Sequence, residues 1–545
     1  MTAACDVVFR GGTIITADPQ RSRADAVAVT DGRITYVGDE AGAPSGARTV
    51  DLAGATLVPG FRDGHIHPLW GGTETLDAPV SLATDRDDIL RVVAQHAAEH
   101  PDAPWIVGHG YPCEALPSAM GRAAWLDAVV ADRPVALWAS DHHTMWVNTA
   151  ALAAAGIDDT TPDPPAGSIV RDEDGRAVGA LLEGAMTLVE QLVPKRSPGD
   201  RATGLRIALG RMAAAGIVWA QEAALAPEDA AVYLGVADAG DLTADINIAL
   251  RVDPARWREQ REVFRATRDA VEAAMAELDR ARAPGGRVTV RSVKIFADGV
   301  IESGTGALID PYSDAPDSRG IPNWSEPELA EALAAFDSDG FQAHIHAIGD
   351  LAVRTSLDAL DVVAERNGPR DRRPVLAHTQ LVHPDDLKRF AAQDVIANFE
   401  PLWAQRSQVM TELTEPRLGQ ERSSWQYPIG TLLHMGAPIS FGSDWPVSSM
   451  IPVEGIEVAV NRQTPEGQPP GGWLPHERLT LDEAIAAYTS GTAYQAFASE
   501  AGILAVGRRA DLAVIGGDIE SLSPPELAQT PVVATWLNAV EVYRA

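Results

Sequence analysis

The sequence of 545 residues holds two cysteines, Cys5 and Cys113. Two cysteines so far apart make no disulfide framework, and no Cys-x-x-Cys pair offers a thiolate zinc site. No apolar run reaches the ~18 residues that a membrane span needs. The opening segment, MTAACDVVFRGGTIITAD, lacks a basic stretch followed by a long apolar one. It therefore reads as strand and not as a secretion signal, and the expected location is cytoplasmic. Positive charge is scarce: 44 Lys and Arg stand against 76 Asp and Glu, a net charge of −32. A surface of that sign repels polyanions, so neither nucleic acid nor an anionic membrane is an expected partner. No arginine cluster with a glycine-rich loop appears, which argues against a phosphorylated substrate.

What is present is an ordinary globular composition, 46% hydrophobic and 22% charged. Residues 1–58 read as short strands divided by Gly-Gly, Asp-Gly and Gly-Asp turns, the mark of an antiparallel sheet. Residues 496–545 return to the same texture in ADLAVIGGD and ATWLNAVEVYRA. One β-sandwich built from both termini is expected. Between them, apolar strand-like runs alternate with helix-like runs. Strand ends fall in ATLVPGFRDGHIH, GIVWAQEA, DINIALRV, VRSVKIFADG, FQAHIHA, PVLAHTQ, DVIANFEP and APISFGSD. Continuous apolar strands alternating with helices imply a parallel sheet, and eight such units fit a (β/α)8 TIM barrel, an α/β fold. The barrel is assigned to residues 59–75 and 200–495. The long stretch between its first two strands, residues 76–199, is expected to be an α/β insertion forming a lid.

The strand ends carry metal-binding residue types. His65 and His67 are two apart, so both project from one face of a strand. Lys294, His346, His378 and Asp444 each close a later apolar run. A barrel places its reactive groups at the C-terminal ends of its strands, so these six residues describe one rim. His344 lies two residues from His346 and faces the same side. Imidazole pairs suit zinc, iron, manganese or nickel. A lysine ammonium has no lone pair to give a metal. Lys294 makes sense in this set if CO2 adds to its amine, giving a carbamate able to bridge two ions. Asp444 is the candidate catalytic residue, a metal ligand that also passes a proton. Tryptophan, at 13 residues, outnumbers tyrosine, at 8. Trp70, Trp146, Trp403 and Trp445 adjoin the motifs of the rim. They either pack the core or line an apolar pocket.

With these motifs in view, the chain resembles the amidohydrolase superfamily, in the branch of YtcJ-like and N-substituted formamide deformylase-like proteins. The resemblance spans essentially the whole length, through PGFRDGHIHP, SDHHTMWVNTAAL, VKIFADGVIESGTGAL, HIHAIGDLAV, LAHTQ and GSDWPV. It implies a distorted (β/α)8 barrel with a β-sandwich from both termini, and one or two divalent metal ions, zinc foremost. By motif, the ligand roles fall on His65, His67, a carboxylated Lys294, His346, His378 and Asp444. The match to HAIGD selects His346 over His344. Where similar proteins carry Asp-Gly before a histidine, this chain has Asp141-His142-His143, and by position His143 is the substrate contact. Arg62 replaces a residue that is usually apolar. A homodimer is implied by resemblance alone.

The expected activity is hydrolysis of a non-peptide C–N bond, an amide, N-acyl or N-formyl amine, in a small apolar or aromatic substrate. Trp70, Trp445, His143 and His344 are its expected binding residues. The same machinery also suits an ester, lactone, carbamate or cyclic amide. A non-catalytic scaffold is the third reading, and retention of all six donors argues against it.

Overall fold

A computed structural model describes residues 5–116, 120–140, 144–164, 167–281 and 285–545. The chain divides into two compact units: Met1–His67 with Leu209–Ala545, and Pro68–Ala208. Among the described residues, no helix is long and apolar enough to cross a membrane.

The first unit contains an eight-stranded parallel sheet. Its strands in chain order are Phe61–Ile66, Ile217–Leu225, Asp245–Arg251, Val288–Phe296, Gln342–Ala347, Val375–His378, Ile396–Phe399 and Ile439–Phe441. They are the eight read from the sequence, and we number them as barrel strands 1 to 8. Strands 8 and 1 meet through the backbone just beyond strand 8, where Asp444 N donates to His65 O at 2.7 Å and His67 N donates to Trp445 O at 2.9 Å. The meeting is close enough to demand glycine at position 64. A Cβ there would come within 2.6 Å of Asn398 Nδ2 and 2.9 Å of Phe441 O.

The helices between strands bury one stripe each. The longest, Trp257–Ala281, sinks Trp257, Phe264, Val271 and Met275 at seven- and four-residue spacing, which puts them on one helical face. Helices Pro198–Ala214, Glu326–Ser338 and Asp350–Asn367 fall between the strands, in the alternation expected from the sequence. The helix Pro452–Asn461, after strand 8, was not foreseen. It is buried over most of its surface, Glu457 and Asn461 included.

Both termini build one eight-stranded mixed sheet. The N-terminal part supplies Cys5–Ile15, Arg23–Thr30, Arg33–Gly38, Gly46–Asp51 and Thr56–Pro59; the C-terminal part supplies Leu512–Ile515, Val532–Leu537 and Val540–Arg544. Phe9 and Trp536 belong to strands three places apart, which would be about 14 Å on a flat sheet. Their rings meet edge-to-face at 5.0 Å, so the sheet curls over its own core in the manner of a sandwich.

Arg62, unexplained by the sequence, gains a physical account. Its guanidinium lies over the Trp219 ring at 5.0 Å and is buried. Asp511 and Asp245 supply the opposing charge, and both also pair with Arg509. Burial lowers the Arg62 pKa to about 10 despite these carboxylates. Asp245 opens strand 3 and Asp511 precedes the terminal strand Leu512–Ile515, so the cluster joins the barrel to the sandwich.

Below the rim, the barrel interior is polar. Asn247 donates to Gln221 and to Ser292, each at 2.8 Å, and Ser292 donates to Gln342 at 2.9 Å. Gln495, from the helix Thr492–Gln495, accepts from Ser440 at 2.6 Å and donates to Gly64 O at 2.8 Å. Its own carbonyl accepts from Gln342 at 3.0 Å. Gln495 is fully buried, so changing it to leucine strands two partners. We expect Gln495→Leu to destabilise the fold by about 1–3 kcal/mol, read as a lower urea midpoint with unchanged slope.

The second unit is a five-stranded mixed sheet with an apolar cluster on each face. Strands Ile106–Tyr111 and Val135–Ala139 run parallel, and the remaining pairings are antiparallel. Gly167–Arg171 and Ala177–Glu183 pair as an antiparallel hairpin. Trp146 is fully buried here, with Nε1 donating to Arg122 O at 3.0 Å, so it is a core residue.

Candidate metal centre

The rim of the barrel is assembled by register. Lys294 pairs with His344, Phe296 with His346, and Ala347 with His378. Alternation then turns Lys294, His344 and His346 inward, while strand 1 presents His65 and His67. One donor atom each from His65, His378 and Asp444 lies within 4.8 Å of the others, and all three residues are buried. Asp444 Oδ1 is 3.0 Å from His67 Nε2 and 3.5 Å from His65 Nε2. Lys294 Nζ is 3.2 Å from His65 Nε2. Residues from four strands or strand ends, far apart in sequence, thus converge on one point.

His346 adjoins this group, its ring centroid 4.6 Å from that of His378. Its Nε2 is engaged by Gly299 O at 3.0 Å. His344, expected as a substrate contact, has no exposed surface. Its Nε2 lies 2.9 Å from His65 Nδ1, a place for orienting a ligand and not for meeting a substrate. Trp403 stacks on His378 at 5.4 Å, nearly parallel at 6°. Trp445 is half-buried, with Arg211 6.0 Å from its ring. Trp70 belongs to the second unit, in helix Pro68–Glu74, and is 37% exposed. His143 falls outside the described residues.

Two carboxylates here escaped the sequence reading. Glu222, in strand 2, has Oε1 3.5 Å from His67 Nδ1 and accepts from the Tyr233 hydroxyl. Glu400, just past strand 7, has Oε2 2.9 Å from His378 Nδ1. Both are buried. They sit in WAQEA and ANFEP, at the strand ends already marked, so the rule that found the histidines would have found them too.

Backbone strain gathers at the same place. His378, Thr379 and Asp444 have φ of 72°, 43° and 53°. Residues with a Cβ pay about 1–3 kcal/mol for such a conformation and keep it where surrounding structure enforces it. Asp63 is one enforcer: its Oδ1 accepts from the backbone N of His65 and of Ser443, both at 3.1 Å. It clamps strand 1 to the segment leading into Asp444.

Electrostatics prepare the donors. Burial, reinforced by the Lys294 and imidazole charges, holds His65, His344 and His346 well below the usual histidine range. Burial takes His378 down to about 3. These rings are neutral at pH 7, the form that binds metals. Burial would also lower His67, but hydrogen bonds and charge from Asp444 and Glu222 outweigh it and raise it to about 9. Burial lowers Lys294 to about 7 against the pull of Asp444 and Glu400, which leaves much of its amine uncharged. Burial and the Asp444 charge push Glu400 well above the carboxylate range, and among the described residues its Oε1 has no hydrogen-bond partner. A bound cation would relieve that repulsion. Neutral imidazoles, carboxylates and an unpartnered buried oxygen form a donor set that fits a divalent metal of the zinc type.

Fold and rim together define a (β/α)8-barrel hydrolase scaffold with a candidate metal centre at its strand ends. The amidohydrolase family profile matches residues 48–543, and the chain belongs to that family. It is 29% identical to the putative amidohydrolase YtcJ of Bacillus subtilis, covering 98% of this chain and 99% of that one. Identity to Protein LONG AFTER FAR-RED 3 of Arabidopsis thaliana is 28%, over 99% of this chain and 91% of the relative. Identity to the N-substituted formamide deformylase of Arthrobacter pascens is 27%, over 100% and 99%. Among solved structures, an uncharacterized metal-dependent hydrolase from Pyrococcus horikoshii shares the fold with a TM-score of 0.74. That pair is 22% identical, with 95% of this chain and 99% of the other covered.

Proposed function

We propose that this chain hydrolyses the C–N bond of a small non-peptide amide, an N-formyl or N-acyl amine, at a metal centre held by His65, His67, His378 and Asp444, with Lys294 and His346 beside them. The observation that carries this reading is the place of Asp444. Its carboxylate touches both strand-1 histidines while its backbone is fixed to strand 1. A divalent ion at these residues supplies Lewis acidity to a carbonyl oxygen and brings the pKa of water toward neutrality. Asp444 takes one proton from the attacking water as the water oxygen bonds to the carbonyl carbon. It returns that proton to the amine nitrogen as the C–N bond breaks, giving a free amine and a carboxylic acid, which then ionises by releasing the second water proton to solvent. The nearby relative named a formamide deformylase supports an amide over an ester. Trp403 and Trp445 beside the centre support an apolar or aromatic substrate.

Lys294 enters as a carbamate. Its uncharged amine adds to CO2 through the nitrogen lone pair and loses a proton, placing an anion among the donors. Incubation with 13C-bicarbonate and zinc should give one carbamate carbon resonance that Lys294→Ala abolishes; no such signal in a zinc-loaded chain rejects the carbamate. The bond class is tested with zinc-reconstituted protein on N-formyl amines, N-acyl amines, esters and lactones. Amine release is expected. Turnover confined to esters or lactones would show that the assigned bond is wrong.

A further inference from the structure

Glu400 has a geometry that the reaction above does not use. Its Oε2 lies 2.9 Å from His378 Nδ1, and among the described residues no other hydrogen bond claims its carboxylate side chain. It is fully buried one residue beyond strand 7, on the side of His378 away from the strand-5 neighbour. Beside a bound cation Glu400 is ionised and only accepts, so Nδ1 of His378 carries the proton and donates it, which leaves the Nε2 lone pair for the metal. Trp403 covers the face of the same ring in parallel stacking. The imidazole is thus fixed by an edge contact and a face contact, on a backbone whose φ of 72° requires such support.

We infer that Glu400 is a positioning residue that holds His378 in the Nδ1–H tautomer and aims its Nε2 at the metal. The inference rests on the metal centre proposed above. A hydrogen-bonded carboxylate behind a ligand histidine fixes the ring and raises its basicity, and losing such a partner costs 10–100-fold in metal affinity as an order of magnitude.

The test is a zinc titration of the chelator-stripped full chain against a competing indicator. Wild type, Glu400→Gln, Glu400→Ala, His378→Ala and the Glu400→Gln/His378→Ala double variant are compared, with folding checked by circular dichroism. We expect Glu400→Gln to bind the same number of zinc ions about tenfold more weakly, and Glu400→Ala about 10–100-fold more weakly. In the His378→Ala background, Glu400→Gln should change affinity by less than about twofold, because the route through His378 is gone. Cobalt loading adds a readout that general packing does not move: the visible ligand-field bands should shift in Glu400→Gln. Should Glu400→Ala fail to fold, the isosteric glutamine variant carries the comparison. Wild-type zinc affinity in folded Glu400→Gln overturns the inference. So does loss of a whole zinc equivalent, which would make Glu400 a ligand, or an undiminished effect in the His378→Ala background. A wild-type chain that binds no zinc overturns the metal centre itself, a failure distinct from one seen in the variants alone.

Discussion

Asp444→Asn should lower kcat by about 10²–10⁴-fold at saturating zinc, the range over which a positioned proton carrier contributes. The substitution keeps size and an oxygen lone pair but cannot accept and return a proton. The substitution also removes an anionic oxygen donor from the centre, so the variant is expected to bind metal more weakly. The assay is therefore run with zinc titrated to a plateau and bound metal measured alongside. A fall in kcat and in kcat/KM together, with KM little changed, marks an interaction made in the transition state. If metal-saturated Asp444→Asn turns over within about threefold of wild type, a factor worth well under 1 kcal/mol, another group moves the proton.

Removing the metal should have the second large effect. Dialysis against a chelator is expected to lower turnover by about three orders of magnitude or more, since Lewis-acid stabilisation supplies several kcal/mol. Zinc added back should restore it. Stability should respond through mass action: free zinc at about 1,000 times its Kd adds about 4.1 kcal/mol when it binds the folded chain alone. Tm should therefore rise on reloading. In the stripped centre burial and the Asp444 charge hold the Glu400 pKa up, a repulsion that a bound cation relieves. Activity that survives complete metal removal, confirmed by elemental analysis, would refute the metal-dependent mechanism.

Much of the fold and half of the centre were legible in the sequence. A strand in a parallel barrel is buried on both faces, so it appears as a continuous apolar run. Its functional residue follows at the C-terminal end, as in PVLAHTQ and APISFGSD. The HxH pair declares its shared face by its spacing. Glu222 and Glu400 also stand at marked strand ends, but their burial beside His67 and His378 is shown by the fold alone. His344 and His346 share a face by alternation, and the sequence has no means of telling which lies against His65. The polar ring of Gln221, Asn247, Ser292, Gln342 and Gln495 was invisible, because its hydrogen bonds join elements 26 to 153 residues apart.

By itself, then, the sequence determined the eight barrel strands, the sandwich shared by the two termini, and the residue types at each strand end. Those follow from local rules: apolar periodicity, turn residues and the two-residue repeat of a strand. Tertiary structure alone decided which donors converge, which imidazole edges face a carboxylate, and which charges lose their water. These depend on register between distant strands and on burial, and both are set by the closed barrel as a whole.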